Sequence, residues 1–173
     1  TYGGYTSLVY ATGILGGMIA DRYLGYQRSI ILGGLLMAVG CFMLLSPEIH
    51  LFLIGLAVIV AGNGLFKPNI STMVGKLYAP GDVRRDSGFT IFYMGINAGA
   101  FVAPLITAVW IGANYGYKYG FLAAAIGMIF GIAVFQVRKG MLGHVGKSPA
   151  GREGWGPVLN VLVGAILLVP VIY

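Results

Sequence analysis

Lys67 occupies a position in this sequence that requires an explanation. It follows sixteen residues without a charge, Leu51 to Phe66, and Pro68 comes directly after it. On a helix that rises about 1.5 Å per residue, Lys67 lies roughly 24 Å from Leu51 and roughly 16 Å from Tyr78. If this helix crosses a bilayer, an ammonium group at that depth costs at least about 2.5–3.5 kcal/mol, so it should face water or a charged partner.

The sequence provides no acidic partner for Lys67 at its depth. Its acids are Asp21, Glu48, Asp82, Asp86 and Glu153, and all of them stand outside the apolar segments. We therefore expect the partner to be water, an anionic substrate, or an acid on a helix outside this sequence. The alternative is a lysine at a shallower depth, whose stem packs on apolar neighbours.

Pro68 adds an irregularity of the backbone beside this charge. Proline lacks the backbone N–H, so the carbonyl of Gly64, four residues earlier, loses its helical donor. The sequence thus predicts a helix that is broken next to Lys67, an arrangement that transporters use to build sites near mid-membrane.

A second polar pair lies in the segment FTIFYMGINAGAF. Tyr93 and Asn97 are four residues apart and share one face of a helix. A phenol and an amide there could hold a polar ligand, although the residues alone favour a hydrogen bond from Asn97 to a neighbouring helix. GxxxG spacing also predicts close helix packing at Gly13–Gly17 and Gly95–Gly99.

The stretch GGMIADRYLGYQR indicates a tight charged turn between two apolar segments. The residues that form this turn are Gly17, Asp21, Arg22, Gly25 and Arg28. Asp21 could accept hydrogen bonds from helix N-terminal amides or pair with a basic neighbour. Such a contact could act as a latch that holds one conformation closed, but an ordinary charged turn explains the same residues equally well.

No group of residues points to covalent or metal chemistry. His50 and His144 lie in polar connections, and Cys41 is the only cysteine. The sequence contains no HExxH motif, P-loop, nucleophile elbow or paired carboxylates. We therefore predict no enzyme activity, no catalytic residue, no metal site and no organic cofactor.

The elements that position these residues are predicted to be membrane helices. Of 173 residues, 58% are hydrophobic and only 9% are charged, whereas a soluble domain carries about 25% charged residues. Mean hydropathy is +0.86. Because a membrane helix needs about 20 apolar residues, we assign spans to Tyr2–Ala20, Ser29–Leu45, Leu51–Leu77, Ser87–Ile111, Tyr119–Val137 and Trp155–Tyr173. The predicted fold class is an all-α polytopic membrane protein.

The basic residues set the orientation of these spans. Nine of the eleven Lys and Arg residues lie in the connections after the first, third and fifth spans; Lys118 lies in an alternate connection and Lys67 lies within a span. The positive-inside rule places the odd-numbered connections in the cytoplasm. Because the basic residues are scattered between apolar runs, we expect no nucleic-acid partner, despite a pI near 9.6.

Taken together, these stretches resemble one transporter family. GGMIADRYLGYQR is similar to the loop signature of the major facilitator superfamily, with the spacing typical of its proton-dependent oligopeptide transporters. GNGLFKPNISTMVGKLY resembles the fourth helix of that family, and RRDSGFTIFYMGINAGAFVAPLI resembles its fifth. The resemblance implies a partial major facilitator superfamily helical bundle in a piece of a longer protein. Residues 1–140 would be helices two to six, 141–154 a cytoplasmic linker, and 155–173 a helix that bacterial members insert between their halves.

The resemblance also implies roles for individual residues. Lys67 matches a lysine tied to proton coupling and to binding of the peptide carboxylate. Tyr10 matches a tyrosine that lines the peptide cavity, and Tyr93 and Asn97 match positions that contact the bound peptide. The resemblance thereby reverses the preference for Asn97 from a contact between helices to a contact with ligand.

The same resemblance implies a conformational latch at Gly17, Asp21, Arg22 and Arg28. The family's first helix carries an ExxER motif, whose acid couples protonation to the lysine, and no such motif occurs in this sequence. The expected function of the parent protein is proton-coupled uptake of di- and tripeptides by alternating access in a cell membrane, most simply a bacterial inner membrane. Its expected partners are the peptide, protons, the lipid bilayer and the remaining helices of the same chain.

Two alternatives stay open. One is a major facilitator transporter of another small solute, such as nitrate, a drug or a metabolite. The other is a membrane scaffold subunit that transports nothing. The scaffold predicts dry, packed surroundings for Lys67, Tyr93 and Asn97, whereas a transporter predicts an aqueous cavity.

Overall fold

The computed structural model describes residues 12–148 together with residues 156, 160, 163 and 164. Within this part of the chain every long element is a helix, and no strand occurs. The helices are α1 (residues 12–19, continued by the π-helical turn Ala20–Leu24), α2 (Tyr26–Met43), α3 (Ile49–Lys76), α4 (Arg84–Tyr115) and α5 (Tyr117–Arg138). A short 3₁₀ turn, Lys139–Leu142, follows α5.

Helices α2 to α5 are each long and apolar enough to cross a membrane. They coincide with the second to fifth predicted spans, and the main difference is that α4 extends from Arg84 to Tyr115 rather than from Ser87 to Ile111. The first span lies only partly within the described residues, and of the sixth only four residues are described, all helical. The division at residues 140 and 155 stays a prediction.

The core of the bundle is the antiparallel pair α2 and α3, which pack at backbone distance through glycine. A Cβ atom built on Gly33 would lie 2.6 Å from the carbonyl oxygen of Gly62, and a Cβ on Gly62 would lie 2.6 Å from the oxygen of Gly33. Gly40 and Gly55 repeat this contact seven residues along each helix, at 2.7 and 3.0 Å. Small residues at such crossings let membrane helices gain van der Waals contact along their backbones.

Helix α1 packs against the same helix, α3, at a second glycine crossing. The carbonyl of Gly64 lies directly against Gly16, where any side chain would overlap it. Gly64 in turn lies against Thr12, with 2.7 Å between a Cβ atom and the Thr12 oxygen. Asn69 closes this crossing, because its side-chain amide donates to the carbonyl of Gly16 at 3.2 Å.

The predicted GxxxG pairs are not the glycines that pack in the described structure. A Cβ atom on Gly13, Gly17, Gly95 or Gly99 would meet no atom of another residue within 4 Å. The spacing therefore gave the wrong glycines for the contacts within this part of the protein. The reason is that α2 and α3 cross through single glycines one heptad apart, a pattern that a search for GxxxG does not detect.

Helices α4 and α5 pack at the periphery of this core. No residue of α4 from Arg84 to Pro104 is buried. Its continuation from Leu105 to Gly112 is π-helical and packs on α5, where Gly120 lies against the carbonyl of Thr107. Pro104 stands directly before these wide turns.

The turn between α3 and α4 is fixed by a short-range ion pair. The guanidinium of Arg84 donates to Asp82 at 2.8 Å, and the backbone N–H of Arg84 donates to the same carboxylate at 2.9 Å. These donors favour the charged carboxylate and lower the pKa of Asp82 to about 2. These bonds hold residues 82–84 in a defined turn at the start of α4.

Candidate functional site

Lys67 lies on an unbroken helix. Helix α3 runs from Ile49 to Lys76 with Pro68 inside it, so the predicted break beside Lys67 is wrong. The carbonyl that Pro68 frees, on Gly64, lies in the close contact with Gly16. Packing of α1 against this turn accompanies a continuous helix where the sequence alone predicts an interruption.

The side chain of Lys67 is exposed. It forms no ion pair or hydrogen bond to another described side chain, in agreement with the absence of an acid at its depth. Neighbouring polar residues of α3 are bonded instead: Ser71 and Thr72 donate to the carbonyls of Lys67 and Pro68 at 3.2 and 2.9 Å. Lys67 is thus a cation that the described helices leave available for an outside partner.

Tyr93 and Asn97 lie on α4, and both side chains are exposed. The ring of Tyr93 stacks on Phe89 with 6.3 Å between centroids, and the guanidinium of Arg85 lies 5.8 Å from the centre of the Phe89 ring. These side chains form a row at a spacing of four residues along one face. The phenol and the amide at the outer end of this row have no hydrogen bond to any described residue.

The contact between α3 and α4 brings Lys67 and Asn97 to a common depth. The two helices meet near the α3–α4 turn, where a Cβ atom on Gly75 would lie 3.4 Å from the Phe89 ring. Lys67 precedes Gly75 by eight residues, and Asn97 follows Phe89 by eight residues. Because the helices are antiparallel, both residues lie roughly 12 Å further along the bundle than this contact. Tyr10, the remaining predicted site residue, lies outside the described residues.

A separate cleft between α2, α3 and α5 is unsuited to a charged ligand. It has a volume of about 510 Å³ and is lined by apolar side chains, among them Phe66 and Ile132, with Arg138 at one end. Lys67, Tyr93 and Asn97 do not line it. We therefore place the candidate site on the exposed faces of α3 and α4 rather than in this cleft.

The predicted latch joins the ends of three helices through a tyrosine. The hydroxyl of Tyr26 donates to Asp21, and the ammonium of Lys76 lies 4.9 Å from the centre of the Tyr26 ring. Asp21 thus binds a hydroxyl rather than the helix amides suggested by the sequence. Gly25 has φ +75° at the turn between α1 and α2, a conformation that only glycine adopts readily. Gly17 makes no close helix contact here, and the adjacent Gly16 does.

The segment after α5 docks onto this turn, which the sequence did not predict. The backbone N–H of Gln27 donates to the carbonyl of Gly146 at 2.9 Å, and its side chain donates to Val145 at 2.7 Å. The hydroxyl of Ser148 donates to the carbonyl of Leu24 at 2.6 Å. We call residues 143–148 the strap. It brings two connections that were both predicted to be cytoplasmic to one end of the bundle.

Sequence reasoning missed Asn69, Tyr26 and the strap. Asn69 stands directly after Pro68, yet nothing local distinguishes a buried asparagine from one that faces a cavity. Tyr26 lies within the charged turn, where the acid and the arginines are the expected partners of one another. The strap residues, GHVGKS, belong to a stretch rich in glycine and basic residues, a composition that is typical of a linker.

Comparison with known proteins identifies the family. The profile of the POT family matches residues 27–155. A di-/tripeptide transporter from Lactococcus lactis subsp. lactis is 46% identical over 150 residues, which are 84% of this chain and 30% of that protein.

Two solved structures show the same arrangement of helices. One is a crystal structure of the peptide transporter POT in complex with alafosfalin, with a TM-score of 0.79 and 42% identity over 97% of this chain. The other is a POT family transporter in complex with 5-aminolevulinic acid, with a TM-score of 0.79 and 34% identity over 98% of this chain. In both cases this chain covers 36% of the solved chain.

These matches confirm the predicted fold class, the membrane location and the expectation that the protein is not an enzyme. The chain spans about a third of the length of the relatives it matches. Its helices are those of a major facilitator bundle, and the motifs around Lys67 and Asn97 fall within the matched residues. The chain therefore belongs to the POT family of transporters.

Proposed function

We propose that the protein containing this chain takes up di- and tripeptides together with protons, and that Lys67 binds the peptide carboxylate. The observation that carries this proposal is the state of Lys67: an exposed cation on an unbroken membrane helix, without a partner among the described residues. Leaving such a charge unpaired in lipid is costly, whereas a water-filled cavity that admits an anionic substrate removes that cost.

Tyr93 and Asn97 supply the polar contacts that a peptide requires beyond its carboxylate. A phenol can donate or accept one hydrogen bond, and a carboxamide can do both. Their depth on α4 matches that of Lys67 on α3, so one extended ligand between the two faces could reach all three groups. Tyr10 is assigned to the same cavity through the family resemblance alone.

Proton coupling follows from the pairing of Lys67 with an acid on the family's first helix. In this proposal, protonation of that acid releases Lys67 to bind the substrate. The changed pairing then shifts the population between outward-open and inward-open states. The hydrogen bond from Tyr26 to Asp21 and the contact of Lys76 with the Tyr26 ring tie the cytoplasmic ends of α1, α2 and α3, as a latch on one of these states requires.

The test is uptake of labelled dialanine by the full-length protein in liposomes under an inward proton gradient. We expect Lys67→Ala to reduce proton-driven uptake by at least about tenfold, the effect of about 1.4 kcal/mol, while gradient-free exchange persists with a raised KM. Lys118→Ala, which removes a cation from the opposite connection, serves as the matched control and should leave uptake unchanged. Full uptake by Lys67→Ala would exclude the proposed role.

The complex of a POT family transporter with 5-aminolevulinic acid supports a second cargo class. That compound carries an ammonium and a carboxylate at a dipeptide-like separation, so the same lysine could bind it. Competition between labelled dialanine and 5-aminolevulinic acid would reveal whether this protein accepts both. A scaffold that transports nothing is disfavoured, because the relatives that this chain matches include a di-/tripeptide transporter and a peptide transporter of known structure.

A further inference from the structure

Asn63 is a second polar residue of α3 for which the described structure provides no partner. Along the inner half of this helix, Asn69 donates to the carbonyls of Gly16 and Leu65, at 3.2 and 2.7 Å. The hydroxyls of Ser71 and Thr72 bond to carbonyls of their own helix. Asn63 has no hydrogen bond to any described residue and shares this property with Lys67.

The packing of α3 determines where Asn63 lies. Its neighbours Gly62 and Gly64 are the two crossing points, the first against Gly33 of α2 and the second against Thr12 of α1. Successive residues of a helix are about 100° apart, so Asn63 lies between the two packed directions. Its side chain is half-buried, and that of Lys67 is exposed.

Asn63 and Lys67 share one face, because they are four residues apart. The rise of the helix places Asn63 about 6 Å from Lys67 along the axis, on the side away from the latch. This separation is about one and a half Cα–Cα steps of an extended peptide, at about 3.8 Å per step. A peptide whose carboxylate reaches the ammonium of Lys67 would therefore have its last peptide unit near the carboxamide of Asn63.

We propose that Asn63 is a substrate-contacting residue that helps to select for a free carboxyl terminus. The proposal rests on the proposed function of Lys67 and extends it. The carboxamide donates to the carboxylate oxygen that the ammonium leaves free, and its own oxygen accepts from the last peptide N–H. An uncharged terminal amide offers a weaker acceptor, since hydrogen bonds to a charged group are the stronger ones.

The competing explanation is that Asn63 bonds to a helix outside this sequence. In that case its removal weakens the fold and affects all substrates alike. In our proposal its removal affects substrates according to their carboxyl terminus. The two explanations therefore differ in how Asn63→Ala changes the ratio of the affinities for a peptide with a free carboxyl terminus and for its amide. Overall activity does not distinguish them.

The experiment measures labelled dialanine uptake by the full-length protein in liposomes, and the inhibition constants of unlabelled dialanine and dialanine amide. Asn63→Ala is expected to raise the KM and the inhibition constant for dialanine about tenfold, as loss of a hydrogen bond to a charged group does. The value for dialanine amide should change less, by about threefold, because the amide loses only neutral hydrogen bonds, and kcat should be retained. Asn63→Gln, which keeps the carboxamide, should recover part of the selectivity, and Thr72→Ala is the control.

The outcomes separate this inference from the proposed function. Equal effects of Asn63→Ala on the inhibition constants of dialanine and dialanine amide, or no effect on either, would overturn the inference. The proposed function would stand in that case if Lys67→Ala still reduces coupled uptake. Wild-type protein that neither transports nor binds dialanine would overturn both.

Discussion

Asn69 shows how a single residue joins two helices at an energetic cost. Its side chain is 1% exposed, and its amide nitrogen donates to the carbonyls of Gly16 and Leu65. Its oxygen has no hydrogen-bond partner in the described structure. A buried acceptor without a donor costs about 1–3 kcal/mol, so the two donated bonds and the glycine crossing beside them must outweigh this cost.

We therefore predict that Asn69→Asp destabilises the protein more than Asn69→Ala does. Alanine loses the two donated bonds but also removes the unsatisfied oxygen, so we expect a loss of about 1 kcal/mol. Aspartate places a carboxylate oxygen against both carbonyls, which is repulsive unless the acid is protonated. Thermal unfolding in detergent measures both effects, with Thr72→Ala as a control on the same helix. Equal stability of the aspartate and alanine variants would contradict this account of the amide.

At the scale of elements, glycine crossings determine how α3 passes its neighbours. Gly62 meets α2 and Gly64 meets α1 at backbone distance. Pro68, only four residues after Gly64, would be expected to break an isolated helix. Contact on two sides maintains the helix through the proline, and this keeps Asn63 and Lys67 in register on the remaining face.

This packing predicts opposite outcomes for two substitutions of the same type on α3. Gly62→Ala places a methyl group 2.6 Å from the Gly33 oxygen, so we expect separation of α2 and α3 and a loss of about 1–3 kcal/mol. A methyl group on Gly75 meets the Phe89 ring at 3.4 Å and the Arg85 guanidinium at 3.7 Å, both ordinary contacts. Gly75→Ala should therefore be neutral, or stabilising by up to about 1 kcal/mol through its helix propensity. Similar unfolding temperatures for the two variants would show that the close contact of Gly62 with Gly33 does not determine which glycines of α3 tolerate a methyl group.

At the scale of the whole molecule, the bundle is tied at one end and open along α4. The latch contacts of Asp21, Tyr26 and Lys76 and the strap all lie at the predicted cytoplasmic end. By contrast, α4 buries no residue from Arg84 to Pro104. The relatives are about three times as long as this chain, and such an open apolar face suits contact with further membrane helices and with substrate.

The strap is predicted to make the cytoplasmic turn rigid. In the full-length protein, Gln27→Ala removes the side-chain bond to Val145, and Ser148→Ala removes the bond to Leu24. We expect the combined variant to exchange the backbone amide of Gln27, which donates to Gly146, at least about tenfold faster. Hydrogen exchange measured by mass spectrometry detects this change, and Ser46→Ala, at the opposite end, is the control. Unchanged exchange would mean that the strap does not hold the turn.

The sequence by itself determined the class of the protein and its second to fifth spans, because hydrophobic length acts locally along the chain. The orientation given by the distribution of Lys and Arg stays a prediction. The sequence also singled out Lys67, since a charge amid apolar residues is visible without coordinates. Only the tertiary structure decided which glycines pack, that α3 stays unbroken at Pro68, that Asp21 binds Tyr26 and that the strap docks. Each of these depends on which backbones approach each other, and residues as far apart as Leu24 and Ser148 meet only once the helices have assembled.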